Sequence, residues 1–342
     1  VAGVSPTTVS RVLNNRGYIS QETRDKVHAA MKRINYTPND IARAMLNGRL
    51  NLIGMIVPYV SSPFHAQVVQ VIEHTLAENG FKMLLCNSAN RPELERSYID
   101  MLRRNMVDGE DIVRTQNNLE NQRNQLDSIL AYMVDGVIVN SLNIGAEAYA
   151  EMGLSLVGID CDLGEASVQI ASDSYGIGEL ATRRLIDDGC SRILCLRNNS
   201  RMRMPANKRT DAYLDVVEQA GLPALVREVE FVKSDDEKSA VVAKILDENP
   251  DIDGIFAGDD TMAAICLNVM KQRGLSAPDD IKVVGADGAR RTMTFMPDLT
   301  TVRQDIDRIG ELAAQSIIAL VNGEKPESNT KLPVELIEGK TA

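Results

Sequence analysis

The chain has only three histidines, His28, His65 and His74, and no two of them stand at metal-ligand spacing. An imidazole-based metal site is therefore not expected. Its five cysteines (Cys86, Cys161, Cys190, Cys195, Cys266) are scattered without a CxxC pair, which fits reduced thiols acting as small buried hydrophobes. Neither a G-x-S-x-G elbow nor a P-loop occurs, so two familiar signatures of enzymatic chemistry are missing. No apolar run reaches the roughly eighteen residues of a membrane helix, and no basic-then-apolar signal opens the chain. On these grounds the protein is expected to be soluble and cytoplasmic, with no membrane partner, no metal and no cofactor.

An overall positive charge is missing too, since the net charge is −11 over 342 residues. Its distribution matters more than its sum. Residues 1–50 carry eight lysines and arginines against Glu22, Asp25 and Asp40, a balance of +5, and the remainder carries −16. A basic head on an acidic body is the asymmetry expected when only the head meets phosphate. Inside the head, residues 4–14 predict a short helix. Ser5 can cap it, and Pro6 at the first position gives up an amide that would go unpaired anyway. Val9, Val12 and Leu13 share one side, which leaves Thr7, Thr8, Ser10 and Arg11 for phosphates and base edges. Ser20 can cap a second helix whose Val27, Ala30, Met31 and Ile34 follow helical spacing. The segment Asp40–Leu46, ended by Asn47-Gly48, is too short for a stable lone helix and would need support from DNA or a second subunit.

From Leu52 onward, apolar strands alternate with amphipathic helices. The strand candidates are 52–57, 83–86, 137–139, 156–159, 193–196, 254–257, 282–284 and 300–302. Such alternation predicts an α/β fold with parallel sheets covered on both faces, and its length predicts two doubly wound lobes. Ligands of such sheets bind beyond the carboxyl ends of the strands, so a cleft between the lobes is the expected pocket. One irregularity interrupts the pattern. Asn90, Glu93, Arg96, Asp100 and Met106-Val107-Asp108-Gly109 recur 27 residues later as Asn117, Glu120, Arg123, Asp127 and Met133-Val134-Asp135-Gly136. This reads as a local tandem duplication. A doubly wound lobe reserves no place for a duplicated helix, so one copy, near residues 110–133, should lie outside the core.

The stretch Ala2-Gly3-Val4-Ser5-x-Thr7-Thr8-Val9-Ser10-Arg11-Val12-Leu13-Asn14, followed by Tyr36-x-Pro38-Asn39-x-x-Ala42-Arg43, resembles the lactose/galactose-repressor (LacI/GalR) family of bacterial transcription regulators. The likeness covers nearly the whole chain. Gly17–Ser20, Cys86–Ser88 and Ser141–Gly145 look most like its sucrose-operon branch. The resemblance implies a helix-turn-helix head over 1–37 and a hinge helix and linker over 38–50. It implies a first lobe over 51–159 plus 290–322 and a second over 160–289 plus 323–342, built like type I periplasmic binding proteins. It further implies a homodimer or tetramer on a pseudo-palindromic operator. DNA contacts would fall on Ser5, Thr7, Thr8, Ser10, Arg11, Asn14 and Tyr18, and on Ala42, Arg43, Met45 and Leu46 of the hinge, where Met45 or Leu46 would be the minor-groove wedge. Members of the family begin with a helix that packs behind the recognition helix. This chain opens at Val1-Ala2-Gly3, so the resemblance implies weak DNA binding by the chain as written.

For the body, the resemblance implies effector contacts at Ser61, Ser62 and Phe64, at Asp160 at the crossover, and at Arg209, Asp259 and Asp287. Carboxylates accept from sugar hydroxyls, Phe64 offers a ring face, and Arg209 can serve either hydroxyls or a phosphate. A sugar or sugar-phosphate effector follows, in a repressor of a carbohydrate-utilisation operon. A solute-binding protein would share the body but needs an export signal and no basic head. An enzyme could use Asp259-Asp260 as a carboxylate dyad, although such a pair at a helix start more often caps it.

Overall fold

The computed structural model describes residues 1–13, 17–34, 51–103, 134–140, 149, 153–161, 163–164, 167–198, 205–230 and 233–342. It divides into two compact units, Val1–Leu50 and Asn51–Ala342. In the first, α1 (Pro6–Leu13) and α2 (Gln21–Arg33) begin on their expected serines. The Thr8 N–H donates to Ser5 Oγ at 3.1 Å and the Thr23 N–H to Ser20 Oγ at 3.4 Å, satisfying amides that a helix start leaves orphaned. Val12, Val27 and Ala30 are buried where α1 packs on α2. The expected hinge helix at 40–46 lies outside the described residues.

The second unit holds two six-stranded sheets. The first contains β1 (Leu52–Val57), β2 (Lys82–Asn87), β3 (Gly136–Val139), β4 (Ser155–Ile159), β5 (Val168–Ser172) and β11 (Asn329–Leu332), all pairs parallel, in the order β11-β5-β4-β3-β1-β2. The second contains β6 (Ile193–Arg197), β7 (Leu225–Glu228), β8 (Gly254–Phe256), β9 (Lys282–Asp287), β10 (Thr300–Gln304) and β12 (Val334–Ile337), in the order β12-β10-β9-β8-β6-β7. There β12 runs antiparallel along the edge of an otherwise parallel sheet.

Strand side chains alternate between faces, and both faces are apolar because both are covered. Ile53, Met55 and Val57 of β1 pack with α3 (Pro63–Glu78) and α9 (Ile306–Val321). Ile56 points the other way, to Ile99 and Leu102 of α4 (Pro92–Arg103). In the second sheet, Ile193, Cys195 and Phe256 meet α5 (Ser174–Asp187) and α6 (Asn207–Gln219). Leu194, Leu196 and Ile255 meet α7 (Asp235–Glu248) and α8 (Asp260–Gln272). Each fully buried Ile, Leu or Phe here contributes roughly 1.5–3 kcal/mol. All five cysteines are buried and none is in a disulfide. Among the described residues no helix is long and apolar enough to cross a membrane.

The pairing moves the expected lobe boundaries. The chain does not leave the first sheet after Ile159, because β5 returns beside β4 and only then passes on at Asp173. Residues 290–322 do not belong wholly to the first lobe, since β10 pairs with β9 in the second sheet. Nor do residues 323–342 belong wholly to the second, since β11 pairs with β5 in the first. Three passages therefore join the lobes, at 172–174, 304–306 and 332–334. Strands β5, β7, β11 and β12 were not expected from the sequence; they are short and lie at or near sheet margins, where burial and hence apolar pattern are weakest. Of the duplicated segment, the first copy is described as far as Arg103 and contributes α4 to the core, with Glu95 buried and accepting the Tyr149 hydroxyl. The second copy lies outside the described residues until Val134 leads into β3.

Helix α5 approaches α6 so closely that a Cβ on Gly178 would stand 2.0 Å from the Arg209 carbonyl oxygen. That neighbour is backbone and has no rotamer to yield. Gly178→Ala is expected to cost about 1–3 kcal/mol through overpacking, read as a lower urea midpoint at unchanged slope. An unchanged midpoint would mean that the two helices part freely.

Candidate functional site

Ser61, Ser62, Phe64, Asp160, Arg209, Asp259 and Asp287 all line one cavity of about 570 Å3 in the second unit. Topology brings them together from across 227 positions of chain. β1 runs out into Ser61–Phe64, β3 into Asn140 and β4 into Asp160. β8 runs out into Asp259, while β9 and β10 end on Asp287 and Gln304. The carboxyl edges of the two parallel sheets thus supply the walls. Asp160 is not at a passage between lobes, as expected, but at the tip of a first-sheet strand. Its N–H donates to the Ile170 carbonyl at 2.9 Å, and its Oδ1 accepts the Ser172 N–H at 3.2 Å.

The first-sheet wall is mostly neutral, with Asp160 as its charged group, and the second-sheet wall is charged. Ser61, Ser62, Tyr59, Asn90 and Asn140 line the first-sheet side, with the Asn140 amide donating to the Ile159 carbonyl at 2.7 Å. His65, edge-on to Phe64 with ring centroids 5.3 Å apart, is pushed down to a pKa of about 4 by burial and is neutral at physiological pH. On the second-sheet side, Arg209 Nη1 donates to the Gly258 carbonyl at 2.5 Å and Nη2 to Asp287 Oδ1 at 3.3 Å. The Gln304 amide donates to the same Asp287 oxygen at 2.7 Å. Lys233 and Lys238 stand further along this wall.

The Asp259-Asp260 pair divides its labour. Asp259 caps α8, its Oδ1 accepting the Met262 N–H at 2.7 Å, and faces the cavity. Asp260 turns inward, away from the lining. A dyad working on one ligand atom is excluded by that divergence. Burial raises the carboxyls of Asp160, Asp259 and Asp260 above their ordinary range. Burial, reinforced by Asp259, carries Asp287 to about 7 even though Arg209 and Gln304 pull against it. Asp160 and Asp287 also hold positive backbone φ angles, +48° and +111°, a strained choice for side-chain-bearing residues that is common at ligand sites.

Arg209 Nε, Gln304 Oε1 and His65 Nδ1 are buried with no hydrogen-bond partner. Unmet donors and acceptors beside carboxylates suit a ligand rich in hydroxyls, each of which both donates and accepts. Tyr59, His65, Asn90, Asn140 and Gln304 were missed from the sequence. The rule that strands deliver ligand contacts at their carboxyl ends would have found Asn140 and Gln304. Among the described residues no cluster of His, Cys, Asp and Glu has the arrangement of a metal site.

In the head, Ser5, Thr7, Ser10, Arg11 and Tyr18 are exposed, with Tyr18 fully so. Thr8 is half-buried and its hydroxyl pairs with Ser5 Oγ at 2.9 Å, so it closes the cap as well as facing the helix surface. Asn14, Ala42, Arg43, Met45 and Leu46 lie outside the described residues.

Residues 1–39 match the model of bacterial regulatory proteins of the lacI family, and residues 182–342 match that of a periplasmic binding protein-like domain. The sucrose operon repressor of Pediococcus pentosaceus is 34% identical over 344 residues, covering 100% of this chain and 97% of that protein. The ribose operon repressor of Halalkalibacterium halodurans is 30% identical over 343 residues, covering 99% and 94%. The Lac repressor bound to ONPG in its repressed state shares the fold, with a TM-score of 0.76 at 22% identity, covering 100% of this chain and 97% of that one. A relative this similar along the whole chain and a matching head lead to one conclusion: the chain is a regulator, and it belongs to the lacI family of bacterial regulatory proteins.

Proposed function

We propose that the protein is a cytoplasmic, homodimeric transcriptional repressor of a carbohydrate-utilisation operon, with a sugar held between its lobes as effector. The observation that carries this reading is the cleft, where hydroxyl-matching groups from both sheet edges stand with buried hydrogen-bonding capacity unused. The relatives' sugar operons support it. Arg209 is already engaged by Gly258 and Asp287, which favours an unphosphorylated sugar over a phosphate ester. Ser61, Ser62, Phe64, Asp160, Arg209, Asp259 and Asp287 would hold the sugar. Ser5, Thr7, Thr8, Ser10, Arg11 and Tyr18 would meet DNA, together with Asn14, Ala42, Arg43, Met45 and Leu46. Because three passages of chain join the lobes, a ligand preferring one lobe arrangement shifts the balance between arrangements, and that shift is the coupling to DNA.

Selection from random duplexes followed by mobility shift tests the reading. The full-length protein is expected to bind one pseudo-palindromic sequence in a salt-sensitive manner. Sucrose, fructose or ribose is expected to change that affinity by at least about fivefold. Absence of any sequence-selective, salt-sensitive binding would overturn it.

A second outcome follows from the carboxylate cluster. Asp287 holds its proton to about pH 7 in the folded protein but loses it near the ordinary carboxylate value when unfolded. Between those values the folded state binds more protons, so stability falls as pH rises. Asp287→Asn removes this slope: its melting temperature, relative to the parent, should be higher at pH 8 than at pH 5, while sugar-induced stabilisation is lost. Circular dichroism melts with and without sugar at both pH values would show it. An identical gap at the two pH values would contradict the assignment.

A further inference from the structure

Asp260 is 3% exposed and does not line the cavity, yet it is hydrogen-bonded to the backbone that shapes it. Its Oδ2 accepts the Gly288 N–H at 2.8 Å, and its Oδ1 accepts the Thr301 hydroxyl at 2.5 Å. The carboxylate also lies against bare backbone on β9, since a Cβ on Gly285 would stand 2.4 Å from Oδ1. One buried side chain at the start of α8 therefore clips together the tip of β9 and the strand beside it, β10. Asp287, which faces the ligand cavity, sits between Gly285 and Gly288 with φ at +111°. On the far side of the turn, a Cβ on Gly288 would meet Arg303 Cβ at 2.8 Å, so the turn is confined from both directions.

We propose that Asp260 is a positioning residue of the effector site: by holding the Gly288 N–H and the Thr301 hydroxyl, it keeps the strained backbone at Asp287 in place and so aims that carboxylate at the ligand. The proposal rests on the cleft being the effector site. It concerns hydrogen-bonding geometry rather than charge. An asparagine can reproduce both contacts, its Oδ1 accepting the Gly288 N–H and its amide donating to the Thr301 hydroxyl, which also accepts. The clip is thus tolerant of losing the negative charge and intolerant of losing the side chain.

The test uses the full chain with Asp260→Asn, Asp260→Ala and, as a milder cut, Thr301→Val. Titration calorimetry with sucrose and with D-ribose reads affinity, and mass-spectrometric hydrogen exchange of the 285–290 peptide reads the clip without ligand. Asp260→Ala is expected to weaken sugar binding by about tenfold or more and to speed exchange, whereas Asp260→Asn stays within about threefold of the parent on both. Thr301→Val should fall between, which keeps the comparison available if Asp260→Ala does not fold. Parent-like binding by Asp260→Ala would overturn the proposal, as would an Asp260→Asn as weak as Asp260→Ala, since charge and not the clip would then matter. If neither sugar binds the parent, the effector reading is what fails for these probes. Slow exchange in the parent and Asp260→Asn against fast exchange in Asp260→Ala still supports the clip, and equal exchange in all three overturns it.

Discussion

Arg209 lies across the tips of two strands, donating to the carbonyl of Gly258 after β8 and to the carboxylate of Asp287 at the end of β9. Much else in the body answers to that one guanidinium. It offsets part of the burden of Asp160, Asp259 and Asp287, three carboxyls whose burial would otherwise hold them protonated. It can stand there because α5 has a glycine where α6 begins, which lets the helix bearing Arg209 settle against the sheet. Burial, reinforced by Asp259, is what carries Asp287 to about 7 against the pull of Arg209, and a hydroxyl-bearing ligand meets the carboxylates without adding charge.

The passages of chain between the lobes give this arrangement its reach. Two of the three run into a capped helix: Asp173 accepts the Gly176 N–H at 3.0 Å and Asp305 the Arg308 N–H at 3.1 Å. Gln304, the last residue before one passage, also holds Asp287. A change of ligand state at the second sheet is thereby in direct hydrogen-bonded contact with a connection to the first. That is a physical route for coupling without any element between the sites needing to unfold.

Much of this was readable before any coordinates. Ser5 and Ser20 announce their helices because a serine before an apolar repeat satisfies amides that nothing else will. The central strands announce themselves because both of their faces are buried, which demands continuous Val, Ile and Leu. Strands such as β11, with Asn329 and Lys331 exposed, carry no such mark, and their assignment to a sheet depends on a neighbour far away in sequence. Ser61 and Asp287 belong to one site for the same kind of reason: parallel strands all end on one edge, but the order of strands along that edge is set by packing, not by position in the chain.

The amino-acid sequence by itself determined a basic helical head, an acidic α/β body and the absence of catalytic and metal motifs, whereas the seven cleft positions came only through its resemblance to the LacI/GalR family. The first three depend on local pattern and charge, which any stretch of chain carries with it. Only the tertiary structure decided where the chain passes between lobes, which of two adjacent aspartates faces the ligand, and why Asp287 can hold a strained backbone. Each of those turns on a hydrogen bond between residues about 12 to 160 positions apart, whose donors and acceptors have no partner until the two sheets are assembled.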